Sequence, residues 1–205
     1  MWLWREFYRL AIHTQSSFTS QVRTVPIMHS PLETNFFDLF GIDRAYSLDR
    51  HLLRDRFREL QKKFHPDNFA SASEQERRLS AQYAALINEA YTTLSDPMQR
   101  GKYMLSLHGI TIDEEHDTRM DPEFLMQQIE LREELDDAQS SIDALSRLSE
   151  RVNEEFLKRE ASIGQILDNT TKLESELDKA RHLVRELQFL LRMRSEIEDA
   201  EEALF

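Results

Sequence analysis

The chain has 205 residues, 40% of them hydrophobic, with 4 Gly, 5 Pro and a formal net charge of −12. That is room for one ordinary domain or two small ones, built of long helices with few turns. The absence of Cys excludes disulfides, thiol catalysis and any zinc ribbon or cluster held by the chain's own thiolates.

Residues 1–34 carry Arg5, Arg9 and Arg23, many Ser and Thr, and only Glu6 and Glu33 as acids. This composition fits a mitochondrial targeting peptide, or an unstructured extension ahead of a start at Met28, and both readings stay open. From Asn35 onward the pattern is helical, with no sustained alternation of period two. "FFDLFGI" reads as a short apolar helix closed by Gly41. Asp49 caps the next helix, whose core face is Leu53, Phe57, Leu60 and Phe64. Arg54, Arg58 and Lys62 run along one flank of it, with Arg56 and Lys63 on the other. After His65-Pro66-Asp67, Ser73 and Glu76 form a capping-box pattern. The helix they open has Leu79, Tyr83, Leu86, Ala90, Tyr91 and Leu94 on one face and stops before Pro97. Two helices joined by one such loop are most simply an antiparallel pair. "QRGKYMLSLHG" adds a short helix ending near Gly109, and "GITIDEEHDTRM" is a polar linker. Asp121 and Pro122 then open a second helical region, with helices expected at 122–137, about 140–167 and about 171–203, closing as a three-helix bundle.

Charge divides the chain the same way. Residues 113–205 carry 26 acidic and 12 basic side chains, whereas residues 1–112 carry 12 and 14. Such asymmetry suggests two modules with different partners. So acidic a chain is a poor nucleic-acid binder, since phosphate recognition needs a sustained positive field. No apolar run approaches the roughly 18 residues of a transmembrane helix, and the expectation is a soluble protein.

Chemistry concentrates at "LQKKFHPDNF", residues 60–69. Proline disfavours the α conformation in the residue before it, so the helix should end near His65 and leave His65 and Asp67 on a loop. A metal site, a catalytic dyad and a docking tip share that local appearance. Metal binding is disfavoured because His51, His65, His108 and His116 are scattered, without the i, i+4 spacing that zinc sites use. Catalysis lacks an evident nucleophile placed beside His65.

The surroundings of the tripeptide weigh more than the tripeptide. "FDLFGI", "FRELQKKFHPD" and "INEAYTTLSDPMQR" resemble the J-domain, the module that docks on DnaK-type chaperones and stimulates their ATP hydrolysis. Further along, "MLSLHGI", "DPEFLMQQIELREELDD" and "VRELQFLLRMRSEIE" resemble the HscB family of J-domain co-chaperones in iron–sulfur cluster assembly. The resemblance covers most of residues 35–205. It implies an all-α, L-shaped protein with a J-domain at 35–108, a linker at 109–120 and a C-terminal bundle at 121–205. It further implies no catalytic activity and no cofactor or metal. The J-domain would engage an HscA-like chaperone through His65, Pro66, Asp67 and Asn68, with Arg54, Arg58, Lys62 and Lys63 steering the approach. The bundle would bind an IscU-like scaffold. A basic residue often follows the tripeptide in this family, where this chain has Asn68. The cysteine-rich module of animal relatives is missing, and the second block is closer to bacterial members. The likeness to bacterial members favours a cytoplasmic protein, with the mitochondrial matrix as the alternative if residues 1–34 are a targeting peptide.

The bundle also has a reading of its own. Phe124, Leu131 and Leu135 share one arc and belong to the core. Leu125, Met126 and Ile129 lie on another, joined by Glu130 and Glu133, so this helix has either a second neighbour within the fold or a docking stripe. In the last helix Leu173, Ala180, Val184, Leu187 and Leu191 share a face, with Phe189 nearly opposite. The resemblance assigns Leu125, Met126, Ile129, Glu130, Glu133 and Phe189 to the scaffold-binding face.

Overall fold

The computed structural model describes residues 35–112, 121–169 and 173–204, so the readings of 1–34 and of most of the linker fall outside the described residues. Capping explains where the elements begin. The Asn35 side chain accepts from the Asp38 N–H at 2.9 Å to open α1 (Phe36–Phe40), and Gly41 ends it at φ 63°, a conformation that costs glycine little. Asp49 caps α2 (Arg50–Lys63) through the N–H groups of His51 and Leu52. The Ser73–Glu76 capping box is formed at the start of α3 (Glu74–Ser95). Asp96 then caps α4 (Pro97–Ser106) through the Gln99 N–H at 2.7 Å. In the second half Asp121 caps α5 (Pro122–Ala138) and Ser141 caps α6 (Ile142–Leu167). α7 (Glu174–Glu202) follows, with Glu176 reaching back to the Leu173 N–H. Among the described residues every regular element is helical.

α2 and α3 form the expected antiparallel pair, with Phe57 stacked on Tyr91 at 4.0 Å between ring centroids and Phe64 on Tyr83 at 4.8 Å. Gln61 and Asn88 add a hydrogen bond across the pair at 3.1 Å. α3 buries Ile87 and Ser80, which the expected face leaves out, while Leu79, Tyr83, Leu86 and Tyr91 are half-buried. The reason is its surroundings: α3 packs against α2, α1 and α4, so its apolar arc is wider than one neighbour requires.

α5, α6 and α7 pack on one another as a bundle. The buried positions of α7 are Leu177, Ala180, Val184, Leu187, Leu190, Met193 and Ile197. This corrects the expected face at two places. Leu173 stands just outside the helix at its N-cap and is 61% exposed. Leu191 is half-buried, because the stripe steps by threes from Val184 through Leu187 to Leu190 and Met193 and so passes beside it.

The two halves share one continuous apolar core. α4 lies on α7, close enough that a Cβ on Gly101 would stand 2.7 Å from Val184 Cγ2. Asp168, at the end of α6, accepts the N–H groups of Tyr46 and Ser47, the latter at 3.0 Å. The buried Arg100 donates to the Leu94 carbonyl at 2.7 Å and to Glu160 at 3.4 Å, with its guanidinium 4.7 Å from the Tyr46 ring centre. Arg50 reaches the same Glu160 carboxylate at 3.2 Å.

Candidate functional site

The first candidate site is the loop between α2 and α3. His65 has φ −61° and ψ 133°, the extended conformation that a following proline favours, and Pro66–Phe69 form one turn of 3₁₀-helix. The His65 ring accepts the Asp67 N–H through Nδ1 at 3.3 Å, and that nitrogen lies 3.5 Å from the Asp67 carboxylate. Both side chains remain exposed, at 57% and 89%. The loop is therefore fixed internally yet presents its polar groups to solvent.

Two residues hold it to the hairpin. Asn68 turns its amide back, donating to the Lys62 carbonyl at 2.7 Å and, less closely, to that of Lys63. It thus satisfies carbonyls that the end of α2 leaves without partners. Ser80 donates from α3 to the Phe64 carbonyl at 3.0 Å and is buried. Ser80 is absent from the residues picked out by sequence, because its partner lies across the hairpin and no local pattern marks it.

Arg54, Arg58, Lys62 and Lys63 are all exposed on α2. Arg54 contacts the His51 ring at 2.9 Å, and the Lys63 ammonium sits 5.6 Å from the Phe64 ring centre. Arg58 and Lys62 are exposed on α2 ahead of the loop and form no ion pair among the described residues. Nor does any group of three or more His, Asp or Glu among those residues have a placement that could hold a metal ion.

The second candidate site is on α5. Leu125, Met126 and Ile129 are 42%, 60% and 53% exposed, and Glu130 and Glu133 are exposed with them. No described helix covers this arc, while Phe124, Leu131, Leu135 and Ala138 on the other arc are buried. Arg151 of α6 pairs with Glu130 at 3.6 Å and with Glu134, so part of the acidic edge is already neutralised. Phe189 leaves the core stripe of α7 as expected, but it does not stand clear of the bundle. It is half-buried, with its ring edge-on to Phe124 at 5.7 Å and 89°. Truncating it would open a gap beside Phe124.

An open cleft of about 490 Å³ borders the α5 face, lined among others by Met126, Gln127, Glu130, Arg151, Arg159 and Glu186. Arg159 forms its floor. It donates to Glu186 at 3.0 Å, to Gln127 at 2.8 Å and to Glu155, with its guanidinium 5.9 Å from the Phe124 ring centre. Burial pushes the Glu186 carboxyl up, against the pull of Arg159. Burial acts the same way on Glu155, but hydrogen bonds from Lys158 and Gln127, with the charges of Arg159 and Lys158, hold it down at about 2.

Both halves of the chain have counterparts in known proteins. Residues 35–103 match the family described as DnaJ domain, and residues 120–198 match the one described as HSCB C-terminal oligomerisation domain. The co-chaperone protein HscB homolog of Vibrio vulnificus is 46% identical over 174 residues, covering 83% of this chain and 99% of that protein. That of Shewanella woodyi is 41% identical with the same coverage of both. Among solved structures, chaperone HscB from Vibrio cholerae superposes with a TM-score of 0.73 at 40% identity, covering 84% of this chain and 100% of the other. The human co-chaperone protein HscB gives 0.74 at 28% identity, with 81% of each chain covered. With both halves matched in order and almost the full length of its relatives spanned, the chain belongs to the HscB family of J-domain co-chaperones.

Proposed function

We propose that this co-chaperone stimulates ATP hydrolysis by a DnaK-type, HscA-like chaperone and delivers to it an IscU-like iron–sulfur scaffold. The chain acts without catalysing a reaction of its own. The observation that carries this reading is the pairing of two exposed, differently built surfaces on one continuous core. The His65–Asp67 loop is polar, internally hydrogen-bonded and preceded on α2 by Arg58 and Lys62. The α5 face is apolar with acidic edges. The first suits an acidic groove on a chaperone, the second an apolar partner with basic neighbours. Holding both partners on one scaffold raises the concentration of one at the other. Residues 35–108 serve as the chaperone-binding part and 121–205 as the scaffold-binding part. The similarity to bacterial relatives supports a bacterial cytoplasm as the setting for this work.

The test is ATPase stimulation of the HscA chaperone, with and without the IscU scaffold. His65→Gln should abolish stimulation in both conditions while leaving helicity and melting temperature nearly unchanged, because His65 is exposed and, among the described residues, its side chain bonds only within the loop. A large loss of stability instead would make His65 structural. Full basal stimulation with no response to scaffold in the wild type would mean a J-protein serving a different client.

A further inference from the structure

Phe124, Leu131, Leu135 and Ala138 form the buried stripe of α5, and two half-buried glutamines, Gln127 and Gln128, fall at its spacing between Phe124 and Leu131. Gln127 is bonded to α6, its amide oxygen accepting from Arg159 at 2.8 Å. Arg159 in turn is fixed to Glu186 of α7 at 3.0 Å, and it faces the Phe124 ring, which carries Phe189 on its edge. An apolar stripe tolerates sliding and rotation, because one methyl contact replaces another at little cost. An amide oxygen bonded to a guanidinium that is itself tied to a third helix has only a narrow range of axial positions and rotations at which the bond is made.

We propose that Gln127 and Arg159 are positioning residues that set the register of α5 against α6 and α7, and thereby the orientation of Leu125, Met126 and Ile129 towards the scaffold. The proposal rests on the α5 face being the scaffold-binding surface. Neither residue needs to touch the scaffold. Gln127 acts through the helix that carries its outward neighbours, and the best-attested use of a polar group in a helix-packing seam is this choice of register over stability.

Gln127→Leu separates the two roles. It extends the apolar stripe and leaves Arg159 paired with Glu155 and Glu186, so no charge is stranded. Calorimetric titration of the IscU scaffold into full-length protein should show affinity falling on the order of tenfold, with the melting temperature unchanged or higher. In combination with Leu125→Ala, the loss should be less than the product of the single losses, since a misplaced Leu125 has less to contribute. ATPase stimulation in the absence of scaffold should stay at the wild-type level. Wild-type affinity in Gln127→Leu, beside a clear loss in Leu125→Ala, would overturn the proposal while keeping the face. Wild-type affinity in both variants would overturn the face and the proposal with it. A drop in affinity that only follows a drop in melting temperature would reduce Gln127 to a packing residue.

Discussion

Asn68 commits its amide to the carbonyls of Lys62 and Lys63, clamping the loop to the end of α2. Asn68→Ala should lower stability by about 1 kcal/mol, the usual net worth of such a bond, and should reduce ATPase stimulation because His65 and Asp67 lose their fixed base. Asn68→Lys should recover stimulation more than stability, which denaturant melts and ATPase assays run on the same preparations would separate. The tripeptide beside it was legible in the sequence because Pro66 dictates the conformation of His65 whatever surrounds it. Ser80 was not. A hydroxyl in mid-helix looks like a surface residue until the helix opposite supplies the Phe64 carbonyl, and only the assembled hairpin does that.

At the scale of the element, α2 carries the electrostatic argument. Between Asp49 and Phe64 it has six Arg or Lys against three acidic residues, in a chain of net charge −12. Local rather than overall charge must therefore guide any acidic partner. Reversing Arg58 and Lys62 to Glu should slow association with the chaperone more than it speeds dissociation, and the wild-type rate should fall as salt rises. Stopped-flow kinetics at several ionic strengths would measure both effects, and a salt-independent rate would remove α2 from the docking account. Asp49, Ser73 with Glu76, and Asp121 marked the starts of their helices, since each cap is a contact between near neighbours in sequence. Helical phase served α5 over its short length and misplaced Leu173 and Leu191 in α7, where a core stripe that advances by threes drifts across the helix. Phase also could not show that Phe189 meets Phe124, because that contact depends on where a third helix comes to rest.

The molecule as a whole turns on the seam between α4 and α7. Alanine is the better helix former, so Gly101→Ala within α4 would ordinarily gain about 1 kcal/mol. Here the added Cβ would meet Val184 Cγ2 at 2.7 Å, and the substitution should instead cost about 1–3 kcal/mol by overpacking. Combined with Val184→Ala, the same change should become neutral or favourable relative to Val184→Ala alone. Denaturant melts of the four proteins in that cycle give the coupling directly. Composition suggested two modules, and the family matches divide the chain between residues 103 and 120, yet neither reveals a shared core. The contacts that create it join residues far apart in sequence, Tyr46 and Ser47 to Asp168 among them.

That seam bears on whether the half that matches the DnaJ domain can be lifted out and grafted elsewhere. Cut from its bundle, it would present to water the side of α4 at Gly101 that α7 covers, and the N–H groups of Tyr46 and Ser47 would lose their carboxylate. Arg100 would lose Glu160 as well, leaving a guanidinium shaped for a partner no longer present. A chimera that joined this half to another bundle would need to bring along Val184, Glu160 and Asp168, three residues that belong by sequence to the other half. The boundary that divides the chain into inheritable parts thus runs through the middle of a single folding unit.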